Sequence, residues 1–280
     1  MLSFITWSAD PALITLGSRE IRWYGLAFAV GFLIGYKLIE LMWKREKYPM
    51  EWLDKLFLYT MGGTILGARL GHCLFYDPAY YLARPTEILK IWEGGLASHG
   101  GTLGIIVATY FFSKYVSKKS MLWCFDRLVV PTGLVAAFIR LGNLMNHEIY
   151  GHQTDLPWAF RFVTNIPAWQ SGAEPIYSLP SHPSQLYEAA AYLAIFAICL
   201  WLYFGKQAFK REGLIFGIFM IWVFGWRMII ESLKNVQEAW EADMFMNMGQ
   251  LLSIPFIILG IWCVVRSARS KTCNTQTKNR

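Results

Sequence analysis

The sequence predicts an all-α integral membrane protein with seven transmembrane helices, its N-terminus outside and its C-terminus in the cytoplasm. Three observations lead there. Of the 280 residues, 55% are hydrophobic and only 16% charged, against about 25% charged in an ordinary soluble domain. Seven apolar runs are long enough, at about 20 residues each, to cross roughly 30 Å of hydrocarbon. The basic residues between those runs alternate from rich to poor along the chain, as the positive-inside rule requires.

The runs lie near 22–42, 53–76, 96–115, 122–146, 185–205, 213–233 and 248–266. They form one polytopic domain over 1–280, with 267–280 expected as an irregular, basic cytoplasmic tail. Gly62, Gly63, Gly67 and Gly71 interrupt the second run and read as a small-residue seam for close helix contact, not as a break. Lys44, Arg45, Lys47 and Lys55 follow the first run, and Lys114, Lys118, Lys119 and Arg127 join the third to the fourth. Lys206, Lys210 and Arg211 join the fifth to the sixth; Arg266, Arg269, Lys271, Lys278 and Arg280 follow the seventh. These sixteen stand against six on the other side: Arg19, Arg22, Arg84, Lys90, Arg161 and Lys234. The poor side is therefore outside. It carries the longer connections, 77–95 and 147–184, the second rich in Trp, Pro and Tyr and suited to the headgroup level.

The same distribution explains the net charge of +7 as topology, and no nucleic-acid partner is expected. The five cysteines are scattered without a CxxC pair, which fits neither a disulfide framework nor a metal site. No basic stretch precedes an apolar core in the first twenty residues, so no cleavable signal peptide is expected.

Lys37, Arg69, Arg140 and Arg227 fall inside the runs. Lys37 is near enough to the cytoplasmic end to snorkel. Arg69 lies 14 residues beyond Lys55, Arg140 13 beyond Arg127 and Arg227 14 beyond Gly213, which places all three roughly 20 Å above the cytoplasmic boundary at 1.5 Å per residue. His99, 15 residues before Lys114 on a descending helix, reaches the same height. Arginine in a membrane helix is costly and marks a functional interior. Its planar fork suits a phosphate, so the layer reads as a phospholipid headgroup site. Glu231, at i+4 from Arg227, also permits a plain ion pair there. Asn143, Asn146, His147 and Glu148 follow Arg140 at spacings that bring part of the set to its side. The glycines after His99 allow close approach of backbone and ligand. The aspartates lie at span ends or in loops, which argues against a Mg²⁺-dependent phosphotransferase with clustered carboxylates. Nor do the histidines have metal-ligand spacing, so no metal and no cofactor is expected. Ser181-His-Pro-Ser-Gln-Leu-Tyr-Glu188 opens the fifth run as an ordinary helix start, with Glu188 inside the span and able to neutralise one arginine.

Several stretches together resemble the prolipoprotein diacylglyceryl transferase family. They are Arg22-Trp-Tyr-Gly25, Gly67-Ala-Arg-Leu-Gly71, Trp92-Glu-Gly-Gly-Leu with His99-Gly-Gly101, Arg140 through Gly151, and His182-Pro-Ser-Gln-Leu-Tyr-Glu188. Ile139 and Leu144 stand where the family usually has glycine and phenylalanine. Val223 and Lys234 replace a tyrosine and an arginine, and no role is carried onto Lys234.

The resemblance implies a bacterial inner-membrane enzyme, acting as a monomer. It would transfer the diacylglyceryl group of phosphatidylglycerol to the lipobox cysteine of a preprolipoprotein and release glycerol phosphate. His99, Arg140 and Arg227 would be catalytic, His99 taking or orienting the thiol proton and the arginines holding the phosphate. Arg69, Tyr24, Asn143, Asn146, Glu148, Gly151 and Glu231 would form the phospholipid-binding set, Glu231 by holding Arg227. The rival class is a membrane transporter for an anion or anionic lipid, which predicts inverted repeats with paired broken helices; the two halves show no such correspondence. A lipid phosphatase would use the same arginines but attack phosphorus.

Overall fold

A computed structural model describes residues 4–16, 19–91, 94–95, 97–234 and 245–277. Trp92, Glu93 and Leu96 of the motif before His99, and Lys278 and Arg280 of the basic tail, lie outside the described residues. The order is β1 (Phe4–Trp7), β2 (Ala12–Leu16), β3 (Arg19–Arg22), α1 (Trp23–Glu46), α2 (Met50–Phe75), α3 (Pro78–Ala83), α4 (Ser98–Phe111) and α5 (Met121–Met145). Then come β4 (Ala159–Phe162), α6 (Ile166–Gln170), α7 (Ser184–Leu200), α8 (Leu214–Glu231) and α9 (Met248–Thr277). Among the described residues five helices are long and apolar enough to cross a membrane: α1, α5, α7 with its extension to Gly205, α8, and α9 as far as Arg269. The other two expected spans contain α2, which opens on Glu51, Asp54 and Lys55 and carries four glycines, and α4, which turns into a wider π-type coil over Phe112–Ser117. α9 runs on to Thr277, so the stretch expected as an irregular tail begins as helix.

Residues 36–127 form one compact unit and residues 1–35 with 128–280 another. In the first, the glycine seam of α2 meets the glycines of α4 backbone to backbone. A Cβ added at Gly67 would stand 2.4 Å from the Gly100 carbonyl oxygen, and one at Gly104 would stand 1.9 Å from that of Gly63. Only residues without a side chain permit this approach, which replaces side-chain packing with direct main-chain contact. Gly67→Val is therefore expected to force the helices apart and cost about 2–3 kcal/mol, since backbone cannot move aside as a side chain would. A drop in thermal unfolding temperature in detergent, absent for Gly62→Ala where the space is open, checks this.

The same unit buries a charge pair at the end of α1. The Arg127 guanidinium grips the Glu46 carboxylate with two donors, Nε at 2.9 Å, and lies 4.0 Å over the Trp123 ring. Arg127 thus belongs to the protein interior although it counts toward the charge asymmetry. A buried pair of this kind is costly to break from one side, by about 3–5 kcal/mol.

In the other unit the chain is helical with two small sheets that hydropathy alone does not reveal. β1 pairs parallel with β4, Phe4 opposite Ala159 through Trp7 opposite Phe162, and β2 pairs antiparallel with β3. Phe160 and Phe162 of β4 bury against Leu144, with Trp7, Tyr150 and Leu186 packed around them. The Trp7 indole donates to the Leu144 carbonyl at 3.0 Å. These strands are short because they serve as a cover on the end of α5. α8 and α9 cross at Gly217 and Gly260, where an added Cβ on either would come within 2.8 Å of the other's carbonyl oxygen.

Candidate functional site

Arg140 lies near the C-terminal end of α5 and begins a row of alternating charges within the 1–35/128–280 unit. Its Nε is 3.0 Å from Oε2 of Glu188 on α7. That oxygen makes no aligned hydrogen bond, so the contact is electrostatic and not a directed donor–acceptor pair. Nη1 donates to Asn143 Oδ1 at 3.2 Å. The other Glu188 oxygen accepts from Lys234 Nζ at 3.0 Å. Lys234 is 3.6 Å from Glu231 Oε1, and the same oxygen is 3.4 Å from Arg227 Nε. Three cations and two carboxylates alternate along the row, and Glu148, reached from Arg140 through Asn143, adds a third carboxylate beside it. Glu188 is 3% exposed, whereas the side chains of Arg140 and Arg227 at the two ends are 21% and 44% exposed, so the row is most buried at Glu188.

Beyond Arg140 the chain folds back. His147 and Ile149 adopt left-handed φ of 57° and 59°, an uncommon conformation for residues with side chains. Between them Glu148 returns to the helix end, where its Oε1 accepts from Asn143 Nδ2 at 2.9 Å and Asn146 Nδ2 at 3.1 Å. Gln185 and Ser184, at the start of α7, donate to the carbonyls of Glu148 and Ile149 and hold the turn. Asn146 Oδ1 is buried without a partner. Tyr24, at the start of α1, packs on Gly142, where a Cβ would stand 2.7 Å from its ring, and lies within electrostatic reach of both Glu148 and Arg140. Gly151 closes the motif by necessity: a Cβ there would meet the Leu233 carbonyl at 2.4 Å. Its backbone pairs with His182 and Lys234. Tyr24, Arg140, Asn143, Asn146, Glu148, Gly151, Arg227 and Glu231 therefore gather in one unit.

Beside this row an apolar groove of about 420 Å³ runs between α7 and α8, lined by Tyr187, Ala190, Ala194, Trp222, Trp226 and Leu233 among others. Three of its lining residues are the chain neighbours of Glu188, Arg227 and Lys234. Among the described residues no three His, Cys, Asp or Glu side chains group as metal ligands.

Arg69 and His99 belong to the 36–127 unit. Arg69 is 4% exposed and its donors are turned to main-chain oxygens: Nε to Ile88 at 2.9 Å, Nη1 to Gly94 at 2.6 Å and Gly95 at 3.3 Å, and Nη2 to Glu87 at 2.5 Å. It also stacks over Tyr81, 5.1 Å from the ring centre. The Arg69 guanidinium, expected in the phospholipid-binding set, is thus turned to main-chain carbonyls. Four carbonyls drawn from two stretches of one loop occupy it, because the preceding helix places it under that loop. Ala97 N donates to the Ala68 carbonyl at 2.9 Å, so α2 holds both the loop and the start of α4. His99 is the second residue of that helix, and it is exposed.

The profile of the prolipoprotein diacylglyceryl transferase family matches residues 11–266. The chain belongs to that family. It is 52% identical over 274 residues to the phosphatidylglycerol–prolipoprotein diacylglyceryl transferase of Porphyromonas gingivalis, covering 96% of each chain. The similarly named proteins of Tolumonas auensis (48%; 95% of this chain, 98% of the relative) and Chloroherpeton thalassium (43%; 95% and 96%) are also alike end to end. The protein is accordingly a transferase.

Three residues in or against this transferase's charged row lie outside the set that sequence reasoning assigned to it. Glu188 and Lys234 are central members, and Gly249, at the start of α9, makes room for Glu231: an added Cβ would stand 2.8 Å from its Oε1. The Glu231 carboxylate thereby sits against the first turn of α9, where the helix dipole favours negative charge. Glu188 was marked in the sequence as a carboxylate inside a span and as the end of a family-like stretch, without a role; nothing in the sequence marked Gly249.

His147 turns away from the row. Its Nδ1 accepts from Val163 N at 3.0 Å and its Nε2 contacts the Ala9 carbonyl at 2.8 Å. The neutral Nε2–H tautomer alone satisfies both. Burial pushes its pKa down, against a smaller opposing pull from the Ala9 carbonyl. The unfolded chain thus takes up a proton first, near pH 6.5, and stability is complete above that pH and falls as pH drops toward the folded value. His147→Gln is expected to flatten this acid slope in detergent melting curves, with a lower plateau at pH 8. An unchanged slope counts against it.

Proposed function

We propose that this protein transfers the diacylglyceryl group of phosphatidylglycerol to the lipobox cysteine thiol of a preprolipoprotein, forming a thioether and releasing glycerol phosphate. The row Arg140–Glu188–Lys234–Glu231–Arg227 carries this reading, because it sets two arginines beside an apolar groove, the arginines suited to a phosphate and the groove to a lipid chain. The substrate sulfur attacks the glycerol carbon bonded to the phosphate oxygen; that C–O bond breaks and its electrons leave with glycerol phosphate. Arg140 and Arg227 hold the phosphate and stabilise the charge that grows on it, in surroundings where such stabilisation is strong. His99 takes the thiol proton or orients the thiol, since a free thiol with pKa near 8.5 needs a base at neutral pH. One acyl chain lies in the α7–α8 groove. The unpartnered Asn146 oxygen and Glu148 accept from the hydroxyls of the glycerol headgroup, and Tyr24 orients them; Gly151 lets the chain close behind.

In this reading the chain crosses the bacterial inner membrane seven times, α2 and α4 completing the set. Its N-terminus is periplasmic and its C-terminus cytoplasmic, and it works as a monomer. Purified protein mixed with phosphatidylglycerol and a lipobox peptide tests the chemistry. A thioether-linked diacylglyceryl peptide and free glycerol phosphate are expected. Diacylglycerol or phosphatidic acid formed by attack at phosphorus, or lipid movement without product, overturns the proposal.

A further inference from the structure

Lys234 and Glu188 have no place in the proposed chemistry, yet they sit at the centre of the charged row. The Glu188 carboxylate is buried, and each of its oxygens faces a different cation, Arg140 at 3.0 Å and Lys234 at 3.0 Å. Lys234 is itself only 11% exposed at its side chain. Its backbone bridges to Gly151 and the preceding Leu233 carbonyl accepts from His152 N at 2.9 Å. The ammonium is therefore fixed from behind by main chain and from the front by the carboxylate.

A carboxylate with Arg140 as its one counterion would draw the guanidinium into a bidentate fork, the arrangement such pairs prefer. Here no such fork of hydrogen bonds forms: Lys234 takes one oxygen, Arg140 comes nearest to the other through Nε, and that contact is not an aligned hydrogen bond. Nη1 of Arg140 is turned to Asn143.

We infer that Lys234 and Glu188 are positioning residues for Arg140: Lys234 holds half of the Glu188 carboxylate and so keeps Arg140 from closing onto it with its phosphate-binding edge. This rests on the reading of Arg140 as a phosphate-holding group. Lys234→Met frees Glu188 to take both forks of Arg140, and Glu188→Gln removes the anchor without changing its shape.

The test measures kcat and KM for transfer from phosphatidylglycerol in Lys234→Met, Lys234→Arg, Glu188→Gln and the double variant Glu188→Gln/Lys234→Met, each normalised to folded protein by its melting curve. Lys234→Met is expected to lower kcat/KM about 10- to 100-fold, the scale on which a small misplacement acts. Lys234→Arg should keep it within about threefold. The double variant should be no worse than the poorer single one, since both act through one contact. Wild-type kinetics in Lys234→Met, equal losses in Lys234→Met and Lys234→Arg, or multiplicative losses in the double variant would overturn the inference. Arg140→Ala run alongside separates the two levels. If it retains transfer, the reading of Arg140 fails and the inference with it; if it is inactive while Lys234→Met is normal, positioning alone fails.

Discussion

Arg140→Ala is expected to abolish transfer, lowering turnover by at least about 100-fold, while the protein still folds and inserts. The magnitude follows from removing a fixed cation aimed at charge that develops on the leaving group. Survival of the fold follows from the row itself. Glu188 keeps Lys234 at 3.0 Å, so no buried carboxylate is stranded, and Asn143 keeps Glu148 at 2.9 Å. Arg140→Lys is expected to fail almost as badly. A single ammonium cannot meet Glu188, Asn143 and a phosphate together, which the five-donor fork can. Product formation per inserted molecule, with membrane levels read by immunoblot, checks both variants; turnover like the wild type in either one refutes the role.

Arg69→Met is expected to have the next largest effect, through a different route. The guanidinium gathers the carbonyls of Glu87, Ile88, Gly94 and Gly95, and each buried carbonyl left without a donor costs about 1–3 kcal/mol unless water reaches it. A cavity of about 220 Å³ lined by Arg69, His72, Tyr80, Tyr81, Glu87 and Gly94 among others admits water, so the loop loosens while the fold survives. Since that loop leads into Ala97 and His99, transfer should fall about 10-fold or more. Hydrogen exchange should rise in peptides covering 85–97 and not in those covering α7. Arg69→Lys should resemble Arg69→Met, because three donors on one nitrogen cannot reach carbonyls on both sides. Unchanged exchange in 85–97 would contradict the clamp.

The contrast between these two arginines shows what the sequence could and could not disclose. Both stood at the same computed depth in apolar runs, and depth follows from helical rise alone. What differs is the direction each side chain takes and what waits there. Arg140 has a carboxylate forty-eight residues away in the chain; Arg69 has carbonyls of the loop that follows its own helix. Neither relation has a local pattern. The pairing of Arg227 with Glu231 and the placing of Asn143 beside Arg140 were legible because the spacings are short; the return of Glu148 to Asn143 was not, since it depends on a left-handed turn beyond the helix end. The seam of Gly63, Gly67 and Gly71 was legible as well, since four-residue spacing puts small residues on one face. The strands were not. β1 and β4 are four residues each and their partners lie far apart, so no alternation could build up. Lys234 was set aside as a departure from the family pattern, yet its contact with Glu188 gives it a place that the arginine's shape had obscured.

The claim beneath all of this is that the row around Arg140 receives the phosphate of an anionic phospholipid. The most direct measurement is the affinity of the purified protein in detergent for phosphatidylglycerol, in the wild type, Arg140→Ala and Arg227→Ala, with no peptide present. The account expects both substitutions to weaken binding about tenfold or more, the scale on which a charge-assisted hydrogen bond of about 1.5–3 kcal/mol is lost. Affinity unchanged in both variants would contradict it.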